Sequence, residues 1–466
     1  MSSAVYSPRG ALAAAVLGFV VVLLDVSVVN VALEALRLEF ATDVAGLQWV
    51  VNAYTLAFAA LLLTSGSLGD RYGARRLYLC GLAIFTLASA ACGLAGDLGM
   101  LAAARVFQGI GGALLVPNSL SMLQRAFPDK VQRSRALGWW GGIASLSLAA
   151  GPVVGGFLVE HWGWRAIFAI NLPIGVLGAW LTTKYVAEDP PGHQRSLDWP
   201  GQGLAIVALT ALTVALMEVG GLGWSSPWVL GGMAVCALAI LGFVHVETRS
   251  RAPMLPLALF RAHAFTMASL SGVAVNFGYY GLIFVFSLFF QVEQGLSPAE
   301  TGLAFLPMTM VLMAANVAAS RLILRMGGRW LMVLGMSIAA LGYLLLLTVR
   351  ADGAYVWLAV PMLLAATGTA LTVPTMTNIT LSSADASRSG IASGVLNSAR
   401  QIGGLLGVAV CGYLVRDTAP QAFMAGMHLC AALAAALLLA ASVMWWRLAG
   451  AVQDATAPVC GSQGRR

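Results

Sequence analysis

The chain has 466 residues, of which 59% are hydrophobic and only 10% charged, with a formal net charge of +7 at neutral pH. A soluble domain carries about 25% charged residues, so no soluble fold of this length covers so much apolar surface. The basic excess is scattered through short loops rather than gathered in one domain, which argues against nucleic acid as a partner.

Apolar runs of bilayer-crossing length, about 20 residues each, recur along the chain at 12–33, 48–68, 77–95, 100–124, 136–158, 164–184, 201–220, 227–246, 264–290, 300–323, 330–349, 354–380, 391–414 and 423–446. They predict an all-α polytopic membrane protein with fourteen transmembrane helices. The end of the run at 201–220 is ambiguous, since Gly220 to Trp228 reads as helix end or as loop. The first run is too long for a signal peptide and lacks a small-residue cleavage site, so it reads as a retained helix. Basic residues sit in the loops on the side of the chain ends, while only Arg37, Arg165, Arg350 and Arg416 fall on the opposite side. The positive-inside rule then places both termini in the cytoplasm of a bacterial inner membrane.

The sequence repeats itself. Leu68, Arg71, Gly73, Arg75 and Gly81 align with Leu322, Arg325, Gly327, Arg329 and Gly335 at a constant offset. Gly111, Ala113, Leu114, Val116 and Pro117 align with Gly368, Ala370, Leu371, Val373 and Pro374, and Gly151, Gly156, Leu158 and Val159 with Gly407, Gly412, Leu414 and Val415. The implied layout is a six-helix bundle over 1–190, two inserted helices with linkers over 191–260, a second six-helix bundle over 261–450, and a cytoplasmic tail over 451–466. Repeated halves are a mark of transporters that rock about a midplane site. No pore-lining ring or filter suggests a channel.

Five segments stand out: Leu24 to Leu33, Gly66 to Arg76, Arg105 to Ala113, Gly151-Pro152 with Gly155-Gly156, and Trp164 to Gly175. Together they resemble motifs of the major facilitator superfamily, in its fourteen-helix drug:proton antiporter family, and the likeness spans essentially the whole chain. Gly66 to Arg76 resembles the cytoplasmic loop motif between helices 2 and 3, and Arg105 to Ala113 the helix 4 motif. Gly151, Pro152, Gly155 and Gly156 resemble the antiporter motif of helix 5, Leu24 to Leu33 the helix 1 motif of the fourteen-helix branch, and Trp164 to Gly175 the stretch entering helix 6. Ser147 stands where the antiporter pattern continues with glycine, and Leu324 stands in the second half where the first has Asp70. The resemblance implies proton-coupled export of small lipophilic drugs or antibiotics by alternating access. A carrier importing or exchanging a metabolite on the same fold is the alternative. Protons, membrane lipids and the lipophilic substrate are the implied partners, and the chain is expected to act as a monomer.

Intramembrane charge is scarce, and costly enough to imply function. Asp25 lies roughly 20 Å from the inner edge of its helix at 1.5 Å per residue. Arg105 lies roughly 22 Å from the same edge of a ~30 Å core, so the two can be level. They read as a proton-coupling pair or as a static ion pair joining two helices. Asp70, Arg71, Arg75 and Arg76, with Gly66 and Gly73, read as a cytoplasmic gate, a switch role that the resemblance also implies; the arginines alone would serve as topology anchors. Arg400, near the middle of its helix with Asn397 on the same face, would hold an anion, a carbonyl-rich substrate, a run of backbone carbonyls, or a contact across the cavity to helix 1. Phe277, Tyr280 and Phe284 form one stripe that would line a cavity or face lipid. Asn30 and Gln108 complete the cavity candidates, although Asn30 reads more simply as a helix–helix hydrogen bond. Asp25 is taken as the only deep carboxylate, which favours neutral or anionic substrates over dications.

Nothing suggests an enzyme or a bound cofactor. No P-loop occurs, His161, His193, His245, His263 and His428 make no metal pair with a carboxylate at helical spacing, and Cys80, Cys92, Cys236, Cys411, Cys430 and Cys460 show no ligand-like spacing.

Overall fold

The structure is a computed structural model, which describes residues 7–188, 198–250, 253–351, 353, 355–383 and 389–455. His193, Arg195, Arg251, Asp385, Arg388, Cys460, Arg465 and Arg466 lie outside the described residues. The described chain is helical throughout. In order the helices are α1 (Pro8–Val31), α2 (Leu33–Glu39), α3 (Val44–Tyr72), α4 (Ala74–Gly93), α5 (Leu98–Ala126), α6 (Lys130–Trp162), α7 (Ala166–Ala169) and α8 (Asn171–Tyr185). They continue as α9 (Trp199–Leu222), α10 (Pro227–Arg249), α11 (His263–Leu288), α12 (Pro298–Met326), α13 (Gly328–Leu345), α14 (Tyr355–Ser382), α15 (Ser389–Leu414) and α16 (Pro420–Ala455).

Local chemistry sets the helix ends. Asp43, Asp97, Asp129 and Asp198 accept from backbone amides in the first turns of α3, α5, α6 and α9, occupying donors that a helix start leaves orphaned. Ser297 and Glu300 form a reciprocal capping box at the start of α12. The turns from α3 to α4 and from α12 to α13 are made by Gly73 (φ 97°) and Gly327 (φ 79°), in a region that L side chains rarely enter. These two glycines are partners in the sequence repeat.

Thirteen spans among the described residues are long and apolar enough to cross a membrane. The run expected at 391–414 exists as helix α15 but is not among them, because Asn397, Ser398, Arg400 and Gln401 dilute its apolar character. The run expected at 164–184 is present as one span, Ala166–Tyr185, in which only Ile170 separates α7 from α8. Helix α16 continues to Ala455, so residues 451–455 extend a helix rather than begin a tail.

The repeat has a packing meaning. On α4 and α5, Gly81 meets Leu114 and Gly111 meets the backbone of Phe85; on α13 and α14, Gly335 meets Leu371 and Gly368 meets the backbone of Ala339. Gly151 and Gly155 of α6 lie against Ser27 and Val28 of α1, while Gly403 and Gly407 of α15 lie against Val273 and Phe277 of α11. Small residues at these spacings let backbones approach closely where water supplies no drive for association.

Helices α9 and α10 pack on each other, and α9 leans on α3 and α15. Gln202 of α9 donates to the Ala60 carbonyl at 2.7 Å and accepts from Thr64. Burial separates centre from periphery: 78% of the most apolar stretch of α11 is inside the protein, against 17% for α10.

The chain ends define one face of the molecule, called here the terminal face; the opposite one is the distal face. Three hydrogen-bonded contacts among the described residues join α1–α8 to α11–α16 near the distal face. Gln48 donates to the carbonyls of Val408 and Ala409 at 2.9 and 2.8 Å, and Ser287 donates to the Asn30 carbonyl. Glu160 of α6 accepts from the Ser297 hydroxyl at 2.8 Å and the Ala299 amide at 3.0 Å, at the N-terminus of α12. A methyl group on Gly156 would run into the Pro298 carbonyl, and one on Gly302 into the Pro152 carbonyl. Toward the terminal face, Trp139, Ile143 and Leu146 of α6 and Val317 and Leu324 of α12 are exposed. The molecule is closed at its distal face.

Candidate functional site

Two regions collect the polar residues buried in the apolar bulk. The first is centred on Asp25 of α1, which has no exposed surface. One carboxylate oxygen accepts from Arg105 of α5 in a buried ion pair. The other accepts from Gln108 Nε2 at 2.8 Å and from Asn171 Nδ2 of α8 at 3.0 Å. Arg105 and Gln108 stand three residues apart, on the same face of α5, and Arg105 donates to Gln108 Oε1 at 2.8 Å. Ser89 of α4 closes the cluster, accepting from Gln108 and Asn171 and donating to the Phe168 carbonyl at 2.9 Å.

The guanidinium of Arg105 is held by a carboxylate, an amide oxygen, a backbone carbonyl and an aromatic face. Its Nε donates to the Val50 carbonyl at 3.1 Å, and its plane lies 4.4 Å from the centre of the Tyr54 ring. A buried ion pair holds only when its remaining donors and acceptors are also met, and here both oxygens of Asp25 are met in full. Two polar atoms beside it have no partner: the Asn171 carbonyl oxygen and the Tyr54 hydroxyl.

Gln108 therefore belongs to the Asp25 cluster rather than to a cavity wall. Asn171 and Ser89 were not singled out from sequence. Asn171 lies within the Trp164–Gly175 motif, which was the available signal; Ser89 is one serine in an apolar helix and carried none.

The second region is a cavity between α1, α6, α11 and α12, about 380 Å³ of non-atom space with its open mouth counted in. Its walls include Ser27 and Asn30 of α1, Pro152 of α6, Tyr279, Tyr280 and Ile283 of α11, and Phe305 and Met308 of α12. Asn30 lines it while its side-chain amide donates to Val26 of its own helix at 3.0 Å. Phe277 and Phe284 are not on this wall: Phe284 is fully buried, and the Phe277 backbone is pressed against Gly407 of α15. At about 100° per residue, the stripe through 277 and 284 faces well away from 279 and 283, and Tyr280 stands between the two faces, touching both the cavity and Gly404 of α15.

Arg400 lies near the middle of α15, and Gly404, one turn further on, accommodates the ring of Tyr280. Its one hydrogen bond among the described residues is to Asn397, at 3.4 Å.

The gate residues sit at the terminal face. Arg75 reaches Glu188 at 3.3 Å and the Thr183 carbonyl at 3.1 Å, tying the α3–α4 turn to the end of α8. Asp70 and Arg76 are exposed, Arg71 lies 5.3 Å from the centre of the Tyr72 ring, and Gly66 faces Pro117 of α5. In the helix 5 motif, Gly151 and Gly155 face α1, whereas Pro152 and Gly156 face α12.

Asp25 is not the only buried carboxylate. Glu247 is 4% exposed near the terminal end of α10, where the helix runs on to Arg249 and the side chain accepts from the Leu255 amide at 3.1 Å.

The sequence profile described as Major Facilitator Superfamily matches residues 15–408. The chain is 40% identical over 401 residues to the methylenomycin A resistance protein of Streptomyces coelicolor, covering 86% of this chain and 84% of the relative. It is 35% identical over 420 residues to the tetracenomycin C resistance and export protein of Streptomyces glaucescens, covering 89% and 77%. A crystal structure of a D-xylose-proton symporter superposes with a TM-score of 0.70 at 14% identity, covering 94% of this chain and 97% of that one, a likeness of fold alone. Helical architecture, internal repeat and profile match agree, and the chain belongs to the major facilitator superfamily of multi-pass membrane transporters.

Proposed function

We propose that this transporter is a fourteen-helix antiporter, with α9 and α10 inserted between two six-helix bundles and α15 counted as a span. It exports small lipophilic drugs or antibiotics from a bacterial cytoplasm in exchange for protons. The names of the two relatives, one for antibiotic resistance and one for resistance and export, support the export reading. Both termini are placed in the cytoplasm, with the distal face outside. Local pairing at the distal face supports this: Arg37 is held by Glu34 at 2.7 Å and Arg165 by Glu39 at 3.0 Å, which leaves little free positive charge there.

The observation that carries the reading is Asp25, a fully buried carboxylate whose charged form is held by Arg105, Gln108 and Asn171. A proton arriving from outside neutralises Asp25 and frees Arg105 to rest on Gln108, Val50 and the Tyr54 ring. The new hydroxyl needs an acceptor, which rotation of the Asn171 amide supplies. Asp25 is two residues from Ser27 and three from Val28, the α1 residues seated against Gly151 and Gly155. A shift of α1 is therefore felt directly by α6, the helix that seals the distal face against α12. The substrate enters from the terminal face while that seal is shut and leaves when it opens, and Asp25 returns its proton to the cytoplasm.

The test is substrate-induced proton release in proteoliposomes reporting through a pH-sensitive dye. Asp25→Asn is expected to insert and fold but to give no release, because an amide exchanges no proton. Release at the wild-type rate from this variant would leave Asp25 structural.

A further inference from the structure

The two intramembrane arginines differ sharply in how they are satisfied. Arg105 has a carboxylate, an amide oxygen, a backbone carbonyl and an aromatic face. Arg400 has one hydrogen bond, at the 3.4 Å limit, to Asn397, and its Nε is buried with no partner. Among the described residues no carboxylate is within ion-pair distance of it, and no backbone carbonyl accepts from it. Asp25 is fully engaged elsewhere. A guanidinium has five donors in a planar fork, so most of this fork is unused.

The surroundings leave room for it. Gly272 of α11 stands where the stem of Arg400 passes: a methyl group there would sit 3.1 Å from Arg400 Cγ. Gly404 likewise accommodates the ring of Tyr280, and Tyr280 is also on the wall of the cavity. Tyr280 thus lies between an under-satisfied cation and an apolar cleft.

We propose that Arg400, with Asn397 and Tyr280, is the anion-binding end of the substrate site, and that the preferred substrate is a monoanionic carboxylate on an apolar body. The two carboxylate oxygens accept from Nε and a terminal nitrogen of Arg400 in the fork geometry that arginine offers and lysine does not. The apolar body lies against Tyr280, Ile283, Phe305 and Met308. This rests on the export reading, whose substrate class it narrows.

The experiment is equilibrium dialysis of the purified full chain in nanodiscs with radiolabelled 1-naphthaleneacetate and, separately, its uncharged isostere 1-naphthaleneacetamide. The wild-type protein is expected to bind the carboxylate about ten- to a hundredfold more tightly, the worth of one to two tenfold steps from a charge-assisted bidentate pair. Arg400→Gln should bring the ratio to about one, and Arg400→Lys should fall between. A wild-type ratio of one overturns the proposal without recourse to any variant. So does an unchanged ratio in an Arg400→Gln protein that unfolds at the wild-type temperature. Proton release on adding either compound to wild-type proteoliposomes is scored separately. No release with the binding ratio intact fails the export reading and leaves the anion site standing; release with a ratio of one does the reverse.

Discussion

The distal seal between α6 and α12 is made by backbone, so one methyl group should open it. Gly156 leaves no room for a Cβ: besides striking the Pro298 carbonyl oxygen, that carbon would lie 2.9 Å from the Pro298 carbonyl carbon and 3.0 Å from Ala299 Cα. Neither atom is the end of a flexible side chain. Relief requires the helices to part by about 1 Å, and close-packed interiors do not absorb that locally. Overpacking of this kind costs about 1–3 kcal/mol. The cost falls on the distally closed state alone, because the two helices separate when the face opens. Gly156→Ala should therefore shift the closed-to-open ratio by about 5- to 150-fold. The assay places a cysteine at Ser27, on the cavity wall, in a background where the native cysteines are replaced, and measures labelling by an impermeant maleimide from the distal side. Labelling should rise by that factor, and Gly302→Ala, on the reciprocal contact, should mimic it. Unchanged labelling in both variants would refute the reasoning.

Glu160→Gln weakens the same seal by a different route: it removes the negative charge held at the N-terminus of α12, an interaction worth about 0.3–1 kcal/mol. Distal labelling should rise about two- to fivefold, and a Glu160→Asp variant that cannot reach Ala299 should behave the same way. Gly73→Ala forces an alanine to φ 97°, a strain of about 1–3 kcal/mol. The thermal unfolding temperature in detergent should fall, whereas Gly96→Ala, at an open position with no neighbour to meet, should leave it unchanged.

How much of this was legible in the sequence follows from what kind of signal each residue carries. Asp25, Arg105 and Arg400 stand out because a charge in an apolar run is rare and expensive, and the superfamily resemblance rested on motifs that the profile match also spans. Asn171, Ser89 and Tyr54 did not, because uncharged polar residues are common in membrane helices and their partners are set by helix rotation. The α11 stripe shows the same limit. Its aromatic spacing was readable, but which face turns to the cavity is decided by Gly403 and Gly407 fastening the other face to α15. The glycines of α6 were grouped as one motif, yet a turn of about 100° per residue sends Gly155 to α1 and Gly156 to α12. Glu247 was passed over because it sits at the end of an apolar run, where a helix three residues longer than expected draws it inside. The polar stretch of α15 weakens the very run that carries Arg400.

The polar cluster around Asp25 is built wholly from α1, α3, α4, α5, α7 and α8, without one side chain from α11–α16. The far wall of the cavity and Arg400 come wholly from the second set. Heritable change can therefore act on the two separately. A substitution at Tyr280, Ile283 or Met308 alters what fits against α11 and α12 while leaving every hydrogen bond of Asp25 untouched. Under selection such a chain can drift from one chemical scaffold to another through single steps, none of which has to disturb the buried ion pair.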